Sequence, residues 1–365
     1  MSLPPERALI SYARTDYLRS TTDDSGIVLQ GGYWGAPQIQ GPGGFSFRKT
    51  GHVMSPYDRK KVYFGVYSGG ADQSWTVPDD VYYIYVKAWG AGGGGGCSGG
   101  WTHGGEGGAG GHTRGLVSVT PGVVLSIRVA DGGIPLPFST GTLGAGGATA
   151  SGNVGDWPSY TVPLSTSPTV SDNRYCAGGG GYAGIFIGSI PLLIAGGGGG
   201  GGSHNGTYNH WNGGGAGGGT VGQNGMAGTG NWSYEARNMG GGGGSQSGGG
   251  YGSQAHTSHM GAAGGYLAGG SGLSGYLYGG AGGGGYFGGG AGSHTPGGSH
   301  MCGGGGGSGF LHPRIMLGET FTGHRQYPPM TEDPDLPTNG TSKTMHAYGG
   351  DMCSTGGDGL VIIYY

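Results

Sequence analysis

Runs of glycine constrain this chain more than anything else in it. They recur at 92–96, 178–181, 196–202, 240–244, 282–285 and 303–307, inside a stretch from 90 to about 309. Glycine accounts for 101 of 365 residues without a strict Gly-X-Y period. Such a composition has two physical outcomes. One is a flexible low-complexity linker, since glycine loses the most conformational entropy on ordering. The other is an ordered bundle of extended, left-handed polyglycine II helices of the polyproline II type, with three residues per turn and about 3.1 Å per residue. Without Cβ atoms, neighbouring backbones approach closely enough for N–H and C=O groups to bond sideways. Residues 196–202 would then form a rod of roughly 22 Å.

The flanking sequence favours order, because strand-like runs interrupt and close the glycine region. Residues 75–78 lead through Asp79-Asp80 into 81–89 (VYYIYVKAW), an alternating aromatic run that ends directly in glycine. Residues 115–120 and 123–130, separated by Pro121-Gly122, predict a hairpin. Further short strands are expected at 185–187 and 190–194, and the chain closes on 359–365 (GLVIIYY). Two Pro-rich insertions, 134–174 and 310–350, show no periodicity. Residues 1–70 differ: they are richer in charge, with short apparent strands at 27–30, 45–48 and 62–67, bounded by Ser68-Gly69-Gly70. They read either as a small N-terminal β attachment region or as an arm lying on the following domain. The expected class is all-β, with a glycine-rich domain over 71–365 whose strands fall at about 74–130, 183–195 and 359–365, and whose glycine helices fall at about 90–111 and 196–309.

Composition excludes several functions. Net charge is −3 and only 10% of residues are charged, so no basic face exists to neutralise phosphates and no nucleic-acid partner is expected. No stretch of 18 apolar residues is present, and residues 1–20 carry Pro and charge where a secretory leader needs an apolar run. Membrane insertion and Sec secretion are therefore not expected. Four cysteines, Cys97, Cys176, Cys302 and Cys353, are too widely spaced for a zinc site and leave two disulfides or four buried thiols open. G-x-G-x-x-G occurs often, as it must here, but never in a strand–turn–helix setting, and G-x-S-x-G, H-E-x-x-H and P-loop motifs are absent. His256/His259 and His294/His300 lack accompanying ligands and read as loop histidines. The expectation is a non-enzyme without cofactor or metal.

The informative residues are aromatic inserts between glycine runs: Tyr208, His210, Trp211, Trp232, Tyr234, Tyr251, His256, Tyr276 and Tyr278. They would form turns at the ends of rods whose glycines, Gly92, Gly196, Gly202, Gly240, Gly282 and Gly303 among them, carry no side chains. Tyr and Trp offer rigid amphipathic area at low entropic cost, as binding loops do. Two roles fit: contact with sugars or outer-membrane loops of a cell, or caps that shield the bundle ends.

Trp75-Thr76-Val77-Pro78, the run 81–89 entering Gly90-Ala91-Gly92, Ile190-Pro191-Leu192-Leu193-Ile194-Ala195 before glycine, and Gly357-Asp358-Gly359-Leu360-Val361-Ile362-Ile363-Tyr364 resemble the glycine-rich domain family. That family includes the glycine-rich region of anaplastic lymphoma kinase-type receptors and many bacteriophage tail-fibre and other virion proteins. The resemblance covers roughly 73–309 and 356–365 and implies a TNF-like jelly roll, a β-sandwich with polyglycine helices inserted between strands. No kinase segment or membrane span accompanies it, which favours the virion branch. The implied protein is a tail-fibre, tail-tip or head-fibre component, located on the tail or capsid surface. Its partners would be other virion proteins through residues 1–70 and a host-surface glycan or outer-membrane protein, and a homotrimer is one assembly the resemblance allows. The alternatives are an architectural decoration protein and a self-assembling extracellular filament or cell-surface adhesin.

Overall fold

The computed structural model describes residues 60–66, 72–98, 104–134, 174–175, 177–203, 212–226, 240–253, 261–271, 279–293, 302–336 and 346–365. Contacts divide the chain into two units, 1–62 with 364–365, and 63–363. Within the first, the ammonium of Lys60 lies 6.0 Å from the ring centre of Tyr365, and that of Lys61 lies 5.1 Å from Tyr364. The strands expected at 27–30 and 45–48 lie outside the described residues.

The alternating runs become strands, and no helix occurs among the described residues: β1 Lys61–Phe64, β2 Gln73–Thr76, β3 Tyr83–Trp89, β4 Cys97–Ser98, β5 His112–Ser118, β6 Val124–Val129, β7 Arg174–Tyr175, β8 Ala183–Ile187, β9 Ile190–Ala195, β10 Phe310–Leu311, β11 Met316–Phe321 and β12 Leu360–Tyr364. They form two five-stranded sheets, in the orders β1-β12-β3-β5-β11 and β10-β9-β8-β6-β2, and a two-stranded ladder of β4 and β7. The five-stranded sheets pack face to face, β3 against β8 and β9, and β5 against β9. Ile84, Val86 and Ala88 from β3 and Leu125, Ile127 and Val129 from β6 alternate into the interior, joined by Ile185, Leu193 and Val117. Apart from Ala88, each of these aliphatic residues contributes about 1.5–3 kcal/mol by leaving water.

The hairpin expected across Pro121-Gly122 does not form. The turn exists, with Gly122 at φ 79° and the Val123 N–H donating to the Thr120 carbonyl at 3.1 Å, but it carries the chain from one sheet to the other. Both edges of β5 are taken by β3 and β11, and both edges of β6 by β2 and β8. The turn is instead tied to the β2–β3 connection, by Gly122 N–H to Val77 O and Val77 N–H to Val123 O, each 2.9 Å. By contrast β8 and β9 do form a hairpin, with Ile187 opposite Ile190 and Gly188 at φ 57° as the first of two turn residues. Strands β10 and β11 lie inside 310–350, where the sequence suggested only a Pro-rich insertion.

At this end of the sheets the connections are short: 77–82, 119–123, 188–189 and 312–315. At the other end they run through glycine. The connections from β3 to β5, from β6 to β8, from β9 to β10 and from β11 to β12 each contain described glycine segments. Their bonding has a period of three. In 196–202, Gly197 and Gly200 donate to Gly284 and Ala281, Gly198 and Gly201 to Ala91 and Gly94, and Gly199 and Gly202 to Gly215 and Asn212, at 2.7–3.0 Å. The carbonyls of the same segment accept in the same rotation. Those of Gly196, Gly199 and Gly202 serve Gly111, Gly108 and Gly105, those of Gly197 and Gly200 serve Gly307 and Gly304, and those of Gly198 and Gly201 serve Gly180 and Ala177. One segment thus has six neighbours, and 302–308 repeats the pattern. A Cβ on Gly198 would overlap the carbonyl of Gly108, so this spacing exists only because the side chain is absent.

Both sheets are covered outside as well. Over the second, Tyr182, Phe186 and Ile194 are sealed by Leu267, Tyr286 and Phe310, with Tyr286 stacked on Phe310 at 4.0 Å. Across the first lies the strap 329–336. Lys87 on β3 donates to both Asp333 oxygens at 2.9 and 2.8 Å and to Asp335 at 2.6 Å, and the Trp89 indole N–H donates to Pro329 O at 3.3 Å.

Candidate functional site

The far end of the glycine array, away from the sheets, is one bonded layer. Gly96 donates to Gly105, Gly105 to Gly202 and Gly202 to Asn212, each at 2.8 Å. Gly303 donates to Met226, Cys302 to Ser293, Gly280 to Cys302, Gly261 to Ser253 and Ala262 to Ser271, at 2.8–3.1 Å. The Ser253 and Ser293 hydroxyls meet at 2.7 Å, and the Asn212 carboxamide donates to Ser203 O at 2.9 Å. Small polar residues end the rods here because their hydroxyls and carboxamide bond where the next turn of glycine would have been.

Six inserts leave the chain from this layer and return to it: 99–103, 204–211, 227–239, 254–260, 272–278 and 294–301. Tyr208, His210, Trp211, Trp232, Tyr234, His256, Tyr276 and Tyr278 belong to them and lie outside the described residues. Their roots are brought together, and this is what the structure adds. Tyr251 is separate from that group. It sits midway along a flanking rod, 44% exposed, with its ring over Gly242 and its carbonyl accepting the Gly242 N–H at 2.8 Å. The named glycines are in the array: Gly92 donates to Gly357, Gly282 to Gly270 and Gly303 to Met226, Gly196 and Gly202 accept from Gly111 and Gly105, and Gly240 lies against Gly225.

Near the same end, on the flank, is a cleft of about 280 Å³. Glu106, Arg325, Gln326, Met226 and Gly213 line it. Neither the Glu106 carboxylate nor the Arg325 guanidinium makes an ion pair or hydrogen bond among the described residues. Nothing in the sequence hints at it, since Glu106 and Arg325 lie on distant segments. Arg325 is the second residue of a tight turn in which His324 N–H donates to Tyr327 O at 2.8 Å and Tyr327 N–H returns to His324 O at 2.9 Å.

Three other groups have special surroundings without convergent chemistry. His112, stacked between Trp89 and Phe321, donates from Nδ1 to Ala88 O at 2.9 Å, and its Nε2 has no partner among the described residues. Burial pushes its pKa down to about 3. Burial likewise pushes the Tyr182 hydroxyl up to about 12, against the opposing pull of Arg128, which stacks over Phe186 at 4.2 Å. Among the described cysteines Cys302 is a buried thiol outside any disulfide, and Cys353 is disulfide-bonded. No group of three metal-ligating side chains occurs among the described residues, and no helix there is long and apolar enough to cross a membrane. No protein-family model matches the chain, and no curated protein matches it.

Proposed function

We propose that this chain is a non-enzymatic virion protein, a bacteriophage tail-fibre, tail-tip or head-fibre component, that projects a glycine array to recognise a host surface. In this reading the two sheets are a jelly roll of TNF-like type, and the array is a bundle of polyglycine II helices spliced into its upper connections. The threefold bonding rotation and the six neighbours of 196–202 support the helix assignment.

The observation that carries the functional reading is the common root of the six inserts. A rigid scaffold that gathers variable loops at one end is the arrangement binding proteins use. The inserts hold Trp101, Tyr208, Trp211, Trp232, Tyr234, Tyr276 and Tyr278, but only two charged residues, Glu235 and Arg237. Their chemistry is stacking and neutral hydrogen bonding, suited to glycans or polar outer-membrane loops. Several copies on one particle would raise weak single contacts to useful avidity.

The test is binding of the fluorescently labelled full chain to bacterial cells from the source environment, beside Trp211→Ala/Trp232→Ala. Saturable binding that the double variant loses, with an unchanged circular dichroism spectrum, is the expected result. A folded, protease-resistant protein that binds no cell would reject host recognition and leave an architectural role.

A further inference from the structure

We infer that the flank cleft is a binding site for a single neutral saccharide ring. It rests on the host-recognition reading for its source of ligand and names the ligand class of a subsite that the inserts do not form. Glu106 and Arg325 line one cleft, and neither side chain is paired with the other or with any described residue. Both residues are exposed, so water solvates the two charges in the free protein. Left open, they present an acceptor and a fork of donors to whatever enters.

A polyhydroxylated ring satisfies both, because each hydroxyl donates and accepts. Its hydroxyl hydrogens bond to Glu106, and its oxygens accept from Arg325 and from the Gln326 carboxamide. Gly213, whose amide has no hydrogen-bond partner among the described residues, and the apolar Met226 line the same cleft. Tyr327, 52% exposed, stands next to Gln326 with its hydroxyl 3.3 Å from the Gln326 nitrogen. The volume of about 280 Å³ falls at the small end of ligand sites, which suits one ring better than an oligosaccharide. The site's net charge is zero, so a neutral sugar meets no repulsion that an acidic one would meet at Glu106.

The backbone at Arg325 is held in a defined conformation. Arg325 is held at φ 53°, in the left-handed region where a residue with a side chain is strained. Its carbonyl is fixed there by the Ala109 N–H at 2.6 Å. A glycine would occupy this position without strain, and the Arg325 guanidinium makes no ion pair or hydrogen bond among the described residues. Asp80, Leu267, Leu317, Met330, Ala347 and Cys353 share this region, so the angle matters here only as what fixes the Arg325 backbone beside the cleft.

Saturation-transfer NMR on the full chain, with D-galactose, D-mannose, D-glucose and N-acetyl-D-glucosamine as probes, tests the site. At least one sugar is expected to show transfer, and Arg325→Gly and Glu106→Gln are each expected to weaken its affinity about tenfold or more, since each removes a hydrogen bond to a charged group. Arg325→Gly also controls for folding: glycine accepts the backbone angle, so its melting temperature should be no lower than that of the parent. No transfer from any of the four sugars, or transfer equal to the parent in both variants, overturns the proposal. Cell binding separates the two readings. Cells bound without sugar transfer would remove the cleft and leave host recognition standing, whereas sugar transfer without cell binding would keep the cleft and remove host recognition.

Discussion

A glycine in this protein is either indispensable or idle, and geometry decides which. A methyl group on Gly198 would sit inside the carbonyl of Gly108, whereas one on Gly248 would meet nothing within 4 Å, and neither residue has a positive φ. The same substitution therefore has opposite signs: Gly198→Ala should cost about 3 kcal/mol or more through overpacking against backbone, and Gly248→Ala should gain about 0.4–1 kcal/mol by restricting the unfolded chain. Urea midpoints of the two variants beside the parent decide it, and equal shifts would mean that the close approach at Gly198 is not real. His112 makes stability depend on pH. Its folded pKa, about 3, lies below the ordinary 6.5, so the unfolded chain binds the proton first. The contribution is complete above pH 6.5 and is lost as pH falls toward 3, at about 1.4 kcal/mol per pH unit. Denaturation midpoints measured between pH 7 and pH 4 should fall steeply in the parent and less steeply in His112→Phe, which keeps a ring between Trp89 and Phe321. Parallel pH profiles would show that His112 is not the group responsible.

At the level of elements, the strap 329–336 is held to β3 by an ion cluster of one ammonium and two carboxylates. The Lys87 side chain is 13% exposed, and those of Asp333 and Asp335 are 9% and 2% exposed. Removing the cation leaves two buried acids facing each other, so Lys87→Met should cost about 3–5 kcal/mol, while Arg114→Met, at the exposed Arg114–Glu319 pair, should cost under about 1 kcal/mol. Comparable losses in chemical denaturation would mean that burial does not separate the two pairs. The strands under this strap were legible in the sequence because alternation in 81–89 and the unbroken apolar run in 359–365 are local signals, and the strands stand at Tyr83–Trp89 and Leu360–Tyr364. What failed was layer assignment at Pro121-Gly122. A turn signal specifies a reversal but not whether the chain returns to its own sheet or crosses to the other. β11 escaped notice for another reason. It is an edge strand exposed along much of its length, with Leu317 at φ 53° breaking its register against β5, so its sequence carries little alternation. As for the candidate site, the inserts were visible as residues. Their common root was not, because it depends on which glycine segments bond to which, and runs without side chains do not encode that choice locally.

The array and the sheets together raise the question of whether so much glycine can be held as firmly as a core. Each inner segment donates in rotation to three neighbours and accepts from three others, so freeing 196–202 breaks bonds to six segments at once. Fraying one rod alone is therefore costly, even though no single bond contributes more than about 1 kcal/mol net. The array is also spliced into four connections of the sheets, so it cannot open without slackening the ends of β3, β5, β9 and β10. These two facts predict one cooperative unit. Amides at 197–202 and 303–307 should exchange with solvent deuterium only through an opening as costly as that exposing the Val86 amide in β3, about 5 kcal/mol or more for a domain of ordinary stability. Native-state hydrogen exchange in rising denaturant reads this directly, because amides of one cooperative unit converge on a common dependence. Exchange of the 197–202 amides within seconds, while Val86 stays protected, would mean that the glycine region is a linker beside a stable pair of sheets. The inserts would then have no rigid base from which to present a binding surface.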